Sequence, residues 1–483
     1  MKKKLIGTVV FLALAAGLLW KLNGVFSLKQ EDGIVPMELF YEQKPGSIDV
    51  MFYGSSHTYS DINPAVLWDQ EGISSYDLAG SLQPLWNTYY YVKESLKYQR
   101  PKVMVVELVR AIESRDYIEE ARTVTNTFGM KFSKDKIEAI RVSTPDNLIP
   151  YVLGYPVYHS RYTELSRADF AAYLGDPHGK ASKGYYPLYV TKSYDSMADM
   201  SEITESSDLA PKSEEYLRKI IALAKEEDIP LVFMISPYQG IIESEQMIFN
   251  RCGEIAAEEG IPFLDFNRMY DELGLDPQTD MAEASHLNYR GTGKLSRYLA
   301  GWLASNYDLA DHRGDETYAS WEENAADWKQ KEANQMLTEE EGWYDFLQLL
   351  SENEGTYTYV IGLTGAYDNG EQPIGEKEIS EAMAILEKYK SAKASLDKRI
   401  IDNEEWYKLG HWKQYGNRVM EGKRAPSTGW LFNSIANKHA DAMDNYPEPN
   451  VLPRAQDDEE TARLLSDILP VVLEQADYES VYS

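Results

Sequence analysis

The chain has 483 residues, 43% of them hydrophobic, which is enough for two or three domains with real cores and excludes a disordered protein. Its 48 basic and 78 acidic side chains give a formal charge of −30, which excludes a broad phosphate-binding surface and with it nucleic acid as a partner. The single cysteine, Cys252, excludes an internal disulfide, and the helical spacing of MIFNRCGEIAAEEG reads it as a buried, small apolar residue.

At the N-terminus, MKKK precedes the uncharged tract LIGTVVFLALAAGLLW (5–20), the pattern of an export signal. That tract alone spans about 24 Å as a helix, short of the bilayer core, but continuing through KLNGVFSL with Lys21 reaching to the interface gives about 36 Å. No small-x-small cleavage site follows, so residues 1–28 read as an uncleaved, single-pass membrane anchor. The lysines place the N-terminus in the cytoplasm and the remainder outside the cytoplasmic membrane. Residues 29–46 read as a charged tether.

Strand-like and helix-like segments then alternate. IDVMFYG (48–54), ISSYDLAG (73–80), KVMVVELV (102–109), PLVFMIS (230–236) and IPFLDF (261–266) read as strands. Between them, Asn63 and Pro64 start a short helix through AVLWDQEG, and helices are expected over 84–99, 213–229, 244–260 and 292–307. This rhythm predicts a parallel sheet covered on both faces, an α/β domain over about 47–310. Residues 110–210 interrupt it and read as a helical and loop insertion over the functional edge. A boundary is placed at about 310, and 311–483 reads as a smaller α+β region of unassigned role, with a strand at TYTYVIGL, a long helix around 376–396 and an acidic helical tail. Trp406, Trp412 and Trp430 fall in a loop-rich part of that region.

The chemistry candidates all stand at strand ends, where a parallel sheet collects its loops. GSSH follows the first strand, LAG ends the second, and EASH follows the fifth. A serine hydroxyl becomes nucleophilic when a histidine accepts its proton and a carboxylate fixes that histidine. Ser56 is the candidate nucleophile and His286 the base. Glu283, three residues before His286, and Asp280, six before, compete to orient it. The amides of Ser56 and Gly80 are candidate oxyanion donors, with Gln83 a third. The plain alternative is that Ser55 and Ser56 are turn or capping residues and that His286 caps a helix. No pair among His57, His159, His178, His286, His312, His411 and His439 has a metal-binding spacing, and no motif calls for a cofactor.

GSSH, a glycine-ended second strand and a late ExxHLNxxG together resemble the SGNH/GDSL hydrolase superfamily over about 48–310. They resemble especially its membrane-anchored extracytoplasmic branch, which includes teichoic-acid D-alanine transfer proteins and alginate O-acetyltransferase-like proteins. The resemblance implies a flavodoxin-like three-layer α/β/α fold, with Ser56 as nucleophile, Gly80 as the second-block oxyanion glycine and His286 as base. It also implies acyl transfer to or from a cell-envelope glycopolymer, beside a membrane-bound O-acyltransferase. Ser55 stands where the plain motif has Asp, Glu283 stands where D-x-x-H has Asp, and a G-x-N-D third block is missing after VMVVELV. In the insertion, YPVYHSRYTELSRADF and KGYYPLY are similar to segments of anchored Gram-positive proteins of this kind. His159, Arg161 and Lys183, with His57, are candidate contacts for an anionic substrate group, against the plainer reading that Arg161 pairs with Glu164. The alternative function is a catalytically impaired scaffold of the same fold that binds glycopolymer or a membrane acyltransferase.

Overall fold

The structure, a computed structural model, describes residues 32–145, 148–153, 182–339, 357–364 and 430–437, with isolated positions elsewhere. Most of the expected anchor therefore lies outside the described residues, as do His159, Arg161, His178, Trp406, Trp412, the expected helix at 376–396 and the acidic tail. Among the described residues no helix is long and apolar enough to cross a membrane.

The chain forms two compact units, Met1–Trp328 and Lys329–Ser483. The first is an α/β structure whose five strands, β1 (Val50–Gly54), β2 (Ser75–Ala79), β3 (Val103–Glu107), β4 (Leu231–Ile235) and β5 (Phe263–Asp265), pair in parallel in the order β2-β1-β3-β4-β5. Each of β1 to β4 is wholly buried, which is why its sequence reads as a nearly continuous apolar run. Helices surround the sheet: α1 (Ile34–Phe40), α2 (Ser56–Asp61), α3 (Pro64–Glu71), α4 (Leu85–Ser95), α5 (Glu120–Thr125), α6 (Lys134–Ser143), α7 (Pro211–Glu226), α8 (Glu243–Glu259) and α9 (Tyr289–Asn306); α10 (Ala319–Glu339) belongs to this unit as far as Trp328.

Side chains alternate across the pleat. Met51, Tyr53, Met104 and Phe233 join one apolar cluster with Phe40, Tyr91, Leu217, Phe249 and Cys252, so α1, α4, α7 and α8 cover that face. Val50, Phe52, Val105 and Met234 join Leu67, Leu295, Leu299 and Leu303, so α3 and α9 cover the other. Cys252 is buried in the first cluster, and burial pushes its thiol pKa up, as its spacing implied.

Two expected boundaries change. The tether proves to contain α1, whose Ile34, Met37 and Phe40 are buried and whose Pro36 carbonyl accepts from the Tyr76 hydroxyl at 2.7 Å. The first unit also runs on to Trp328 rather than ending near 310. Trp321 is 1% exposed, donates from Nε1 to the Ser75 carbonyl at 3.0 Å, and stacks on Trp68 at 6.4 Å between ring centroids. His312 binds Asp49 at 2.9 Å. In the second unit, β6 (Tyr357–Thr364), at the expected strand, pairs antiparallel with β7 (Trp430–Asn437), so Trp430 begins a strand rather than lying in a loop.

The Trp321 contacts make residues 312–328 part of the first core. Trp321→Ala is expected to cost the first unit about 3–5 kcal/mol in urea unfolding followed by circular dichroism. A loss under about 1 kcal/mol would return the boundary to 310.

Candidate functional site

Register brings the strand ends together. Gly54 of β1 pairs with Ala79 of β2, and Tyr53 pairs with Val106 of β3, so Ser55, Gly80 and Glu107 leave the sheet as neighbours. Gly54 has φ 155°, and a Cβ there would overlap Thr58 Oγ1 and stand 2.9 Å from Glu107 Cβ, so only glycine lets the chain turn this sharply into α2. Ser55 is the N-cap residue and Ser56 the first helical one. The ladder of α2 takes its amides from Thr58 onward, since Thr58 and Tyr59 donate to the Ser55 carbonyl, which leaves the Ser56 and His57 amides outside it.

The two serines differ. Ser55 is 1% exposed and its hydroxyl donates to Glu107 Oε2 at 3.5 Å, whereas Ser56 is half-buried. The capping role weighed against Ser56 belongs elsewhere: Asn63 Oδ1 caps α3 through Ala65 N at 3.0 Å, with Pro64 in the first turn.

His286 arrives from a loop held on several sides. Met281 bridges to Leu287, the Ala284 carbonyl accepts from Gly240 N at 2.7 Å, and Asn288 caps α9 through Arg290 N and Gly291 N. The HLNxxG pattern is thus partly a helix start, but the cap is Asn288 and not His286, whose ring turns to Glu283. Across the rim, Leu287 N donates to Asp61 Oδ1 at 3.1 Å, and Thr292 Oγ1 donates to the Ser60 carbonyl at 2.9 Å. His286 Nδ1 is hydrogen-bonded to Glu283 Oε1, while its Nε2 is buried with no partner among the described residues. The ring stacks on His57 with centroids 4.6 Å apart.

Asp280 goes elsewhere. Its carboxylate binds Lys294 Nζ at 2.6 Å, Asp276 N at 2.7 Å and Thr279 Oγ1 at 3.0 Å, so it secures the loop and Glu283 is the acid that meets His286. Gln83 is also corrected as an oxyanion donor. Its Nε2 donates to Thr88 Oγ1 at 3.2 Å, and the side that faces Gly80 is the acceptor Oε1. Lys183 turns inward instead of toward a substrate: it is 1% exposed, donates to Gln43 Oε1 at 2.8 Å and Ser320 Oγ at 2.7 Å, and lies 3.8 Å over the Trp321 ring. Burial lowers its pKa to about 7. His57 is buried and packed between His286 and Tyr238, with the Ser285 backbone beside it, so it buttresses the His286 ring rather than presenting a surface contact. Burial, with His286 and the Arg110 guanidinium nearby, holds it well below the usual imidazole range and keeps it neutral.

Several site groups were missed in the sequence. Glu107, at the end of β3, accepts from Val109 N at 2.6 Å and from Ser55; burial pushes its pKa up to about 8 against those bonds and the Arg110 charge. Asp61 is also wholly buried and held well above the carboxylate range by that burial. Asn126, from the insertion, packs its Oδ1 against Gly80 while donating from Nδ2 to the Ser81 carbonyl at 3.0 Å. The one signal for Glu107 was a lone carboxylate closing an apolar run. Among the described residues no group of three or more His, Cys, Asp or Glu side chains is placed to hold a metal. Compared with known proteins, the chain matches no family model and no curated protein.

A carboxyl raised by folding is protonated in the folded chain and ionised in the unfolded one between about 4.5 and 8, so the stability it supports is full at low pH and is lost as pH rises through about 8. Glu107→Gln removes that dependence. Urea midpoints at pH 5 and pH 8 are expected to show the variant gaining on the wild type as pH rises; a constant difference would place Glu107 in an ordinary, ionised state.

Proposed function

We propose that the chain is a membrane-anchored, extracytoplasmic serine acyl-transfer enzyme of SGNH type. The observation that carries this reading is His286, with Nδ1 on a carboxylate and Nε2 buried, unpartnered and beside the helix that Ser56 begins. A carboxylate on Nδ1 leaves Nε2 free to accept a proton, as a general base requires, and the ring stacks on His57 of that helix; no hydrogen bond joins Nε2 to the Ser56 hydroxyl in this structure. The strand order 2-1-3-4-5 is the order of flavodoxin-like sheets, which supports the finer fold class that the sequence resemblance implies.

In this mechanism Ser56 Oγ attacks the acyl carbon as His286 Nε2 takes its proton, and Glu283 fixes the Nδ1–H tautomer and stabilises the imidazolium. Amides at the start of α2, with that of Gly80, receive the negative charge developing on the carbonyl oxygen. Collapse of the tetrahedral species passes the proton from His286 to the leaving alkoxide and leaves an acyl-Ser56 ester. A glycopolymer hydroxyl or water then attacks that ester in the reverse sequence. The apolar tract of residues 5–28 supports the placement at the outer face of the cytoplasmic membrane, with a membrane-bound O-acyltransferase as the proposed supplier of acyl groups.

A serine-directed fluorophosphonate is expected to label the protein. Ser56→Ala should abolish labelling, Ser55→Ala should largely preserve it, and His286→Ala should slow it at least about 100-fold. Labelling that survives Ser56→Ala moves the nucleophile elsewhere, and a folded wild type that never labels favours a glycopolymer-binding scaffold instead.

A further inference from the structure

The point at which the N-terminal segment joins the fold lies at the rim that carries the proposed site. The Asp32 carbonyl accepts from Ser81 N at 2.8 Å, and Ser81 directly follows Gly80. Arg122 Nη1 donates to Ser81 Oγ at 2.7 Å and lies 3.9 Å from Asp32 Oδ2. Gly33 is pressed so closely on α5 that a Cβ would stand 2.6 Å from the Thr125 carbonyl oxygen, and Gly129 is packed 2.7 Å from the Ile34 carbonyl on the same measure. From there the chain passes through α1 to Ser47 and Asp49, at the opposite, N-terminal ends of the strands. Leu28, the last residue of the apolar N-terminal tract, is four Cα steps from Asp32, a reach of at most about 14 Å.

The same rim presents apolar side chains outward. Gln83 N donates to the Gly80 carbonyl at 3.2 Å, closing a turn whose third residue, Leu82, has φ 47°. That left-handed position favours glycine or asparagine, yet a leucine occupies it, 38% exposed. Tyr186, 40% exposed, donates its amide to the Tyr59 carbonyl at 2.7 Å, and the Tyr59 phenol lies within the electrostatic reach of Asp32, Arg122 and Tyr186. A leucine and a tyrosine together suit a boundary that is apolar on one side and wet on the other. The far end of the sheet is charged, with the exposed Arg100 paired to Glu227 at 3.0 Å.

We propose that the rim bearing Gly80, Leu82 and Tyr186 lies against the lipid headgroup layer of the bilayer that residues 5–28 enter. The inference rests on the reading of those residues as a membrane anchor and on nothing in the chemistry of Ser56. An acyl donor held at the lipid surface then reaches the site without leaving that surface.

The test uses the full chain reconstituted in phosphatidylcholine–phosphatidylglycerol vesicles, with bimane on Leu82→Cys, Tyr186→Cys or, as control, Arg100→Cys; native Cys252 is buried and out of reach of the label. Lipids carrying a nitroxide near the headgroup are expected to quench positions 82 and 186 several-fold more than position 100. Equal quenching at all three, or strongest quenching at 100, overturns the proposal, and so does a chain that fails to float with the vesicles. Two rim positions keep the reading independent of the folding of either variant. Quenching retained in Leu82→Cys combined with Ser56→Ala, alongside a wild type that fluorophosphonate does not label, would remove the catalytic reading and leave this one standing.

Discussion

Asp61 closes the site. It ends the helix that Ser56 begins, and its Oδ1 accepts the Leu287 amide across 226 residues of sequence, one position beyond His286. The carboxyl is wholly buried, and that burial pushes it well above its usual range, toward the uncharged form. An ionised group in the same place, with Glu107 and Glu283 nearby, would carry a desolvation cost of several kcal/mol. The Thr292 to Ser60 and Ser296 to Asn63 bonds lie either side of it. Together they fix how far the His286 loop stands from the start of α2, which sheet register alone would leave undecided.

Glu107, Asp61 and His57 are all pushed toward their neutral forms, mainly by burial. The rim therefore holds many polar atoms and little net charge behind the Glu283–His286 pair. Among its buried polar atoms, His286 Nε2 and Thr58 Oγ1 have no hydrogen-bond partner among the described residues. Folding alone does not favour buried polar atoms without partners.

The sheet was legible in the sequence because a strand buried on both faces reads as an unbroken apolar run, and β1 to β4 each do so. That Ser56, Gly80 and His286 come to one rim was legible because strand ends of a parallel sheet converge, and the Glu283–His286 contact because three residues is a short reach. What stayed hidden depends on contacts far apart in sequence. The IVPMELF helix is flanked by charged residues and reads as a tether until Tyr76 is seen to meet Pro36. Trp321 lies in a polar stretch that looks like a linker, and only the Ser75 carbonyl and Trp68 show that it is core. Lys183 looks like a substrate contact until its partners Gln43 and Ser320, over 130 residues away on either side, are known. The direction of the Gln83 carboxamide is set by Thr88, which no motif records.

Lys183 also bears on how the molecule behaves at high concentration. β2 is the outermost strand on its side of the sheet, and such a strand ordinarily offers unpaired backbone to any neighbouring chain. Here the Asp77 amide is taken by the Lys183 carbonyl at 2.9 Å, the Ser75 carbonyl by the Trp321 indole, and Gly184 lies directly against Asp77. On the opposite side β5 is three residues long. One border is sealed by the insertion and by the segment that leads out of the domain, and the other is too short to template a new strand. The fold thereby guards itself against edge-to-edge self-association, so a lesion at Trp321 or Gly184 exposes an aggregation surface as well as weakening a core.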